Sequence, residues 1–230
     1  MPRESLAARR SRTLALIERL RSTYPDAHCE LDYSNPLELL VATILSAQCS
    51  DKQVNLVTAE LFRRYRSAAD YAAAPLPDLE NALRRLGLFR NKARHIQAAC
   101  QALVNHHDGR VPDSMDALVR LDGVGRKTAN VVLGNAFHQA SGIVVDTHVA
   151  RLARRLSLSN ASQPEAIEHD LSALVPRQHW ILFSHWLIWH GRRRCAARRP
   201  DCPRCELADL CPSSTGPTPD RPPPRPDRTD

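Results

Sequence analysis

A lysine behind a Gly-Val-Gly turn, an aspartate before a helix and a quartet of cysteines are the residues whose types and spacing could do chemistry. In Leu118–Leu133, LVRLDGVGRKTANVVL, two glycines bracket a valine between two helical patterns, which predicts helix, tight hairpin, helix. Gly123 and Gly125 permit backbone angles and close approach that a side chain blocks. The amides from Gly123, Val124 and Gly125 to Arg126 can then point outward together, a nest for phosphate. The plain structural alternative is a glycine-rich turn between packed helices. Arg126 and Lys127 oppose the helix dipole, so a negative partner is expected at this helix start. A neutral lysine amine can attack an electrophilic carbon such as C1′ of a sugar. Asp146 ends the run Ile143-Val144-Val145 and precedes Thr147, so it reads as an N-cap. A carboxylate held ionised at a helix start can also accept a proton or stabilise an oxocarbenium ion.

Cys195, Cys202, Cys205 and Cys211 are separated by six, two and five residues, a density that predicts a metal centre. Structural zinc sites usually pair their ligands as two close doublets, and this spacing contains one; four cysteines equally suit a [4Fe-4S] cluster. Arg192, Arg193, Arg194, Arg198, Arg199 and Arg204 flank or enter the loop, which predicts a basic surface for a polyanion. Cys29, Cys49 and Cys100 stand apart and are read as small buried hydrophobes without a chemical role.

The elements that must position these residues are helical. With 230 residues, 43% of them hydrophobic, the chain can bury one large core or two modest ones. A formal net charge of +7 favours nucleic acid or another anionic surface as partner. The N-terminal stretch lacks a secretory apolar run, and the window Ile181–Trp189 is too short to span a bilayer, so a cytoplasmic, nucleoid-associated protein without a membrane partner is expected. Leu14 to Leu20 opens the first helix. Asn35, Pro36 and Glu38 mark a helix start, with Leu37, Leu40, Val41, Ile44 and Leu45 on one face. Ser50 and Asp51 mark another. Further helices are predicted over Pro77–Leu86, Asn91–His106, Ser114–Val119, Arg126–Phe137, Thr147–Leu156, Pro164–Leu174 and Gln178–His190. Ile143–Val145 alone reads as extended, too short for a sheet, so the fold class is all-α. Residues 213–230, rich in Pro, Ser, Thr and Asp, are expected to be disordered.

LSAQCSD at Leu45–Asp51, LDGVGRKTANVVL at Leu121–Leu133, VDTHVARL at Val145–Leu152 and the spaced cysteines occur in one order. Together they resemble the endonuclease III family of the helix-hairpin-helix DNA glycosylase superfamily, over about Leu14 to Cys211. The resemblance implies a two-lobed fold. Residues 29–142 would form a six-helix domain with the helix-hairpin-helix at about 114–137, and residues 1–28 with 143–212 a helical domain holding a [4Fe-4S] cluster on the four cysteines. It implies Lys127 as nucleophile with Asp146 as catalytic partner. Gln48 would fill the gap left by an extruded base, Leu88 would wedge the stack, and the hairpin with Arg198 and Arg199 would meet the phosphates. The implied partner is double-stranded DNA containing damaged bases or abasic sites, bound by a monomer.

The implied activity is removal of oxidised pyrimidines followed by β-elimination on the 3′ side, since the target nucleotide must be flipped out and damaged bases cost least to extrude. Asp122 stands where the family usually has proline, an acid expected to weaken phosphate binding slightly unless it points away. Cys49 and Ser50 replace small or threonine residues, a change expected to be neutral. A related adenine-specific mismatch glycosylase lacks the lysine and uses a glutamate before the glutamine motif, whereas Val41–Gln48 contains no acid. Mismatch-specific thymine or uracil glycosylases, and a non-catalytic DNA-binding module with a structural metal, are the other readings.

Overall fold

The computed structural model describes residues 4–215. In chain order the helices are α1 (Leu6–Thr23), α2 (Pro36–Leu45), α3 (Asp51–Arg64), α4 (Ala68–Ala73), α5 (Leu76–Ala82), α6 (Phe89–His106), α7 (Met115–Leu118), α8 (Arg126–Ala136), α9 (Thr147–Arg155), α10 (Pro164–Leu174) and α11 (Trp180–Arg193). Short 3-10 turns cover Arg177–His179, Cys202–Arg204 and Ala208–Leu210. The described residues contain no strand, and none of their helices is long and apolar enough to cross a membrane. The fold is all-α.

The chain divides into two compact units, Cys29–Ser141 and Met1–His28 with Gly142–Asp230. In the first, α2 is the centre. Asn35 caps it by accepting the Glu38 N–H at 3.0 Å, and Glu38 reaches back to the Ser34 N–H at 2.6 Å. Every residue from Leu39 to Leu45 is buried, so α2 is apolar all round rather than along one face. It packs against α3, α6 and α8. Seven helical segments make up this unit, where the resemblance implied six. The extra one to note is α4, which periodicity missed because six residues are too few for a repeat. Its capping box was in the sequence: Ser67 accepts the Asp70 N–H and Asp70 accepts the Ser67 N–H. The helix expected over Pro77–Leu86 stops at Ala82, and α6 begins at Phe89, ahead of Asn91.

In the second unit, Leu16, Ile17 and Leu20 of α1 pack with Val149 and Leu152 of α9, Ile167 and Leu171 of α10, and Phe183, Trp186 and Leu187 of α11. Burying each such large side chain stabilises the unit by about 1.5–3 kcal/mol. The Trp186 indole donates to the Tyr24 carbonyl at 3.2 Å, tying the end of α1 to α11. Ile143–Val145 is extended without a strand partner; the Val144 N–H donates instead to the Ser184 hydroxyl at 3.0 Å. Ser214 is 3% exposed and its N–H donates to the Cys211 carbonyl, so packed chain continues past Ser213, where disorder was expected to begin. Residues 216–230 of that expected tail lie outside the described residues.

Candidate active site and cysteine-lined cavity

The hairpin of the first unit needs one of its two glycines. The Leu121 N–H donates to the Leu118 carbonyl and the Val124 N–H to the Leu121 carbonyl, both at 3.1 Å, closing two successive turns. Gly123 has φ +73, and a Cβ there would lie 2.8 Å from the His95 Cβ. Both conformation and clearance therefore demand glycine at Gly123, whereas Gly125, expected to need it too, has φ -90 and open space where a Cβ would lie, so any residue fits there. Val124 is 5% exposed and packs in the core, so it anchors the hairpin and does not offer a side chain or a spare N–H to a phosphate. The N–H groups of Gly123 and Gly125 meet no acceptor among the described residues. Asp122 does not face the nest unpaired: its carboxylate lies 2.6 Å from His95 Nδ1.

Lys127 is exposed in the first turn of α8, whose N-cap Gly125 supplies no side-chain cap and whose first turn contains no acid. A helix start carrying Arg126 and Lys127 and no acid is a site for an anion. Asp146 belongs to the second unit. As read from sequence, it caps α9, its Oδ1 accepting the Val149 N–H at 2.7 Å, and it is part-buried.

Gln48 and Leu88 share a feature that sequence could not show. Both are exposed, and both sit in the left-handed region, at φ 56 and φ 57, which costs a non-glycine residue about 1 kcal/mol or more. Leu88 is also the N-cap of α6 without a side-chain hydrogen bond. Two unlike side chains are thus held out to solvent by strained backbone.

Cys195, Cys202, Cys205 and Cys211 line one cavity of about 40 Å³ together with Leu152, Arg155 and His190. Among the described residues no three His, Cys, Asp or Glu side chains stand close enough together to hold a metal ion. Burial pushes the Cys205 thiol up to about 11 and raises that of Cys211. Around the cavity, Arg155 Nη1 donates to Cys195 Sγ at 3.1 Å and to the Ala196 carbonyl at 2.8 Å. Arg151, one turn earlier on α9, donates to the Gly191 carbonyl at 3.0 Å and the Cys195 carbonyl at 3.1 Å. His190 is 3.0 Å from the Tyr24 hydroxyl through Nδ1 and 3.4 Å from Cys205 Sγ through Nε2; burial lowers its pKa to about 4, so it is neutral at ordinary pH. Sequence reasoning missed Arg151, Arg155 and His190. The two arginines four residues apart were visible, but such a pair usually reads as a solvated face.

The basic loop is less basic than its composition. Arg194 is bound by Glu206 at 2.7 Å and Asp201 at 2.9 Å, Arg204 by Asp201 at 2.9 Å, and the Arg193 guanidinium lies 3.8 Å over the Trp189 ring. Arg194 and Arg204 hold the loop, while Arg193 packs back on its own helix α11. Arg198 and Arg199 are exposed without an ion pair or hydrogen bond among the described residues, and Arg199 has φ 54.

An all-helical fold with a glycine hairpin leading into a helix start is that of the helix-hairpin-helix class of DNA-repair proteins. The family model described as HhH-GPD superfamily base excision DNA repair protein matches residues 41–177. The chain is 49% identical to endonuclease III of Synechocystis over 91% of its length and 95% of the relative's. It is 39% identical to endonuclease III of Escherichia coli K12 over 88% of this chain and 95% of that one. A solved structure of a trapped endonuclease III–DNA covalent intermediate superposes with a TM-score of 0.85 at 44% identity, covering 89% of this chain and 96% of that one. A thermostable thymine-DNA glycosylase, at 21% identity and a TM-score of 0.81, shares the fold. The chain belongs to the endonuclease III family of HhH-GPD base excision DNA repair proteins.

Proposed function

We propose that this bifunctional DNA glycosylase and AP lyase removes oxidised pyrimidines from duplex DNA, with Lys127 as nucleophile and Asp146 as its acid-base and electrostatic partner. The observation that carries the reading is Lys127 itself: an exposed amine directly after the Gly123–Gly125 turn, on a helix start without acids, in a chain so similar to the enzyme trapped covalently on DNA. Oxidation removes the aromaticity of a pyrimidine and weakens its stacking, which lowers the cost of flipping it out. Lys127 Nζ then attacks C1′ and the base departs. The opened sugar and the lysine form a Schiff base, and abstraction of a proton from C2′ eliminates the 3′ phosphate. Asp146 keeps one carboxylate oxygen on the α9 cap, leaving the other to accept a proton or face the cationic sugar. Gln48 and Leu88, held outward by their backbone, suit the gap and wedge roles, and the free N–H groups of Gly123 and Gly125 suit a phosphate.

The same proposal assigns a [4Fe-4S] cluster to the four cysteines. They line a single cavity, and their spacing of six, two and five residues contains one close doublet where structural zinc sites usually have two, which supports the cluster over a single zinc. Burial opposes ionisation of Cys205 and Cys211, so these two need a cationic group to become thiolates, and Arg155 donates to Cys195 Sγ beside them. Such a cluster supplies cross-linking of the loop; with four cysteine ligands it offers substrate no open position.

A panel of duplexes carrying thymine glycol, a G·T mismatch, an A·G mismatch or an abasic site, each with and without borohydride, tests the reading. Excision and trapping on thymine glycol and the abasic site are expected. Excision confined to the mismatches would replace oxidised pyrimidines by a mismatched base as substrate.

Changing Arg198 and Arg199 together to alanine is expected to lower DNA affinity alike for all sequences and to flatten its salt dependence by about one unit per lost phosphate contact. Unchanged affinity at low salt would remove this loop from the interface.

A further inference from the structure

Lys92 is 3% exposed, the one lysine or arginine among the buried residues described. Among the described residues its Nζ donates to a single atom, Cys49 Sγ, at 3.1 Å, and no carboxylate pairs with it. A lysine amine has up to three donors and a thiol is a weak acceptor, so a buried amine is left nearly unsatisfied, at a cost of several kcal/mol if charged. The position has further connections. Cys49 follows Gln48 directly and its N–H donates to the Ser46 carbonyl at 3.1 Å. A Cβ on Gly87, the residue before Leu88, would touch Cys49 Sγ at 4.0 Å. The Lys92 N–H donates to the Leu88 carbonyl at 3.1 Å. One thiol and one amine therefore join the turn that carries Gln48 to the turn that carries Leu88.

We propose that Cys49 is a peroxide-oxidation site whose oxidised form is held by Lys92. The sulfur attacks one oxygen of hydrogen peroxide; the S–O bond forms as the O–O bond breaks, and the departing hydroxide takes the thiol proton as water, leaving a sulfenic acid (R–SH + H2O2 → R–SOH + H2O). Deprotonated, its oxygen gives the buried amine the anionic acceptor that it lacks. Cys49, like Cys29, is half-buried and not buried as its isolation in the sequence suggested, whereas Cys100 is buried with its thiol pushed up to about 12 and serves as an internal control. An added oxygen at the junction of the two turns displaces their packing, so oxidation also weakens DNA binding; that consequence rests on the proposed roles of Gln48 and Leu88.

The test treats the full-length holoenzyme with near-stoichiometric hydrogen peroxide, traps sulfenic acid with dimedone and maps adducts by peptide mass. Cys49 is expected to label ahead of Cys29 and Cys100, with labelling about tenfold slower in Lys92→Met and largely kept in Lys92→Arg. Circular dichroism identifies a Lys92→Met protein that has unfolded; the comparison then rests on Lys92→Arg and on the ranking of cysteines within the wild type. Labelling of Cys29 or Cys100 ahead of Cys49, or an equal rate in a folded Lys92→Met, overturns the site. In the binding arm, peroxide should weaken affinity for an abasic-site duplex several-fold in wild type and leave Cys49→Ala unchanged. Labelling at Cys49 without that loss keeps the oxidation site and overturns its link to DNA, while leaving the glycosylase reading untouched.

Discussion

Lys127→Ala will give no covalent complex with abasic-site DNA under borohydride and will lose base excision by at least about a thousandfold, while keeping most of its DNA affinity. The size of the effect follows from what Lys127 does. Removing a nucleophile removes the covalent path altogether, so the residual rate falls to what binding and electrostatics alone supply. Affinity should survive because the backbone of the hairpin is independent of this side chain: the Leu118–Val124 turns close through backbone bonds, Val124 anchors them in the core, and the Gly123 and Gly125 N–H groups stay as they are. Loss of both trapping and binding would instead make Lys127 a phosphate contact. A trapped complex that persists in Lys127→Ala would move the nucleophile elsewhere. Asparagine at Asp146 can still cap α9 through its side-chain oxygen, which keeps folding and chemistry separable at that position as well.

What the sequence revealed divides along a physical line. Local chemistry was readable: the Asn35 and Asp146 caps, the glycine demanded at Gly123 and the start of α8 are set by a few neighbouring residues, and the structure has them where they were expected. Long-range pairings were not. Nothing in the sequence joins Arg155 to Cys195, His190 to Cys205 or Lys92 to Cys49, because each pair spans an interval that only packing closes. Composition misled for the same reason at the cysteine loop. Arg194 and Arg204 counted as surface charge until Asp201 and Glu206 were seen to bind them. Gln48 and Leu88 carried their weight only in the resemblance, since a left-handed φ on a glutamine or a leucine has no residue signature.

Cys205→Ser will yield colourless protein with little iron and acid-labile sulfide, and will unfold the segment from Cys195 onward, in contrast to the brown wild type. The seventeen residues from Cys195 to Cys211 contain only two 3-10 turns of three residues each, and Leu207 is their one fully buried apolar side chain. Ordering the backbone alone costs about 1–2 kcal/mol per residue, so the segment opposes folding by roughly 17–34 kcal/mol. Burial of Leu207 offsets about 1.5–3 kcal/mol of this. The ion pairs of Arg194 are solvent-screened and add little, and the Arg151 and Arg155 bonds to loop carbonyls contribute about 1.5–3 kcal/mol each. A large deficit remains, and a metal centre held by four thiolates can supply about 10–16 kcal/mol of it. The exposed Arg198 and Arg199 ride on the same segment, so DNA affinity in Cys205→Ser should fall at least as far as in the double arginine variant, with the salt dependence flattened by the same amount. Far-UV circular dichroism, iron and sulfide content and DNA binding against salt are read on one preparation. A folded, colourless wild type with one zinc per chain would overturn the cluster, and a folded Cys205→Ser with wild-type affinity would show that the loop stands without it.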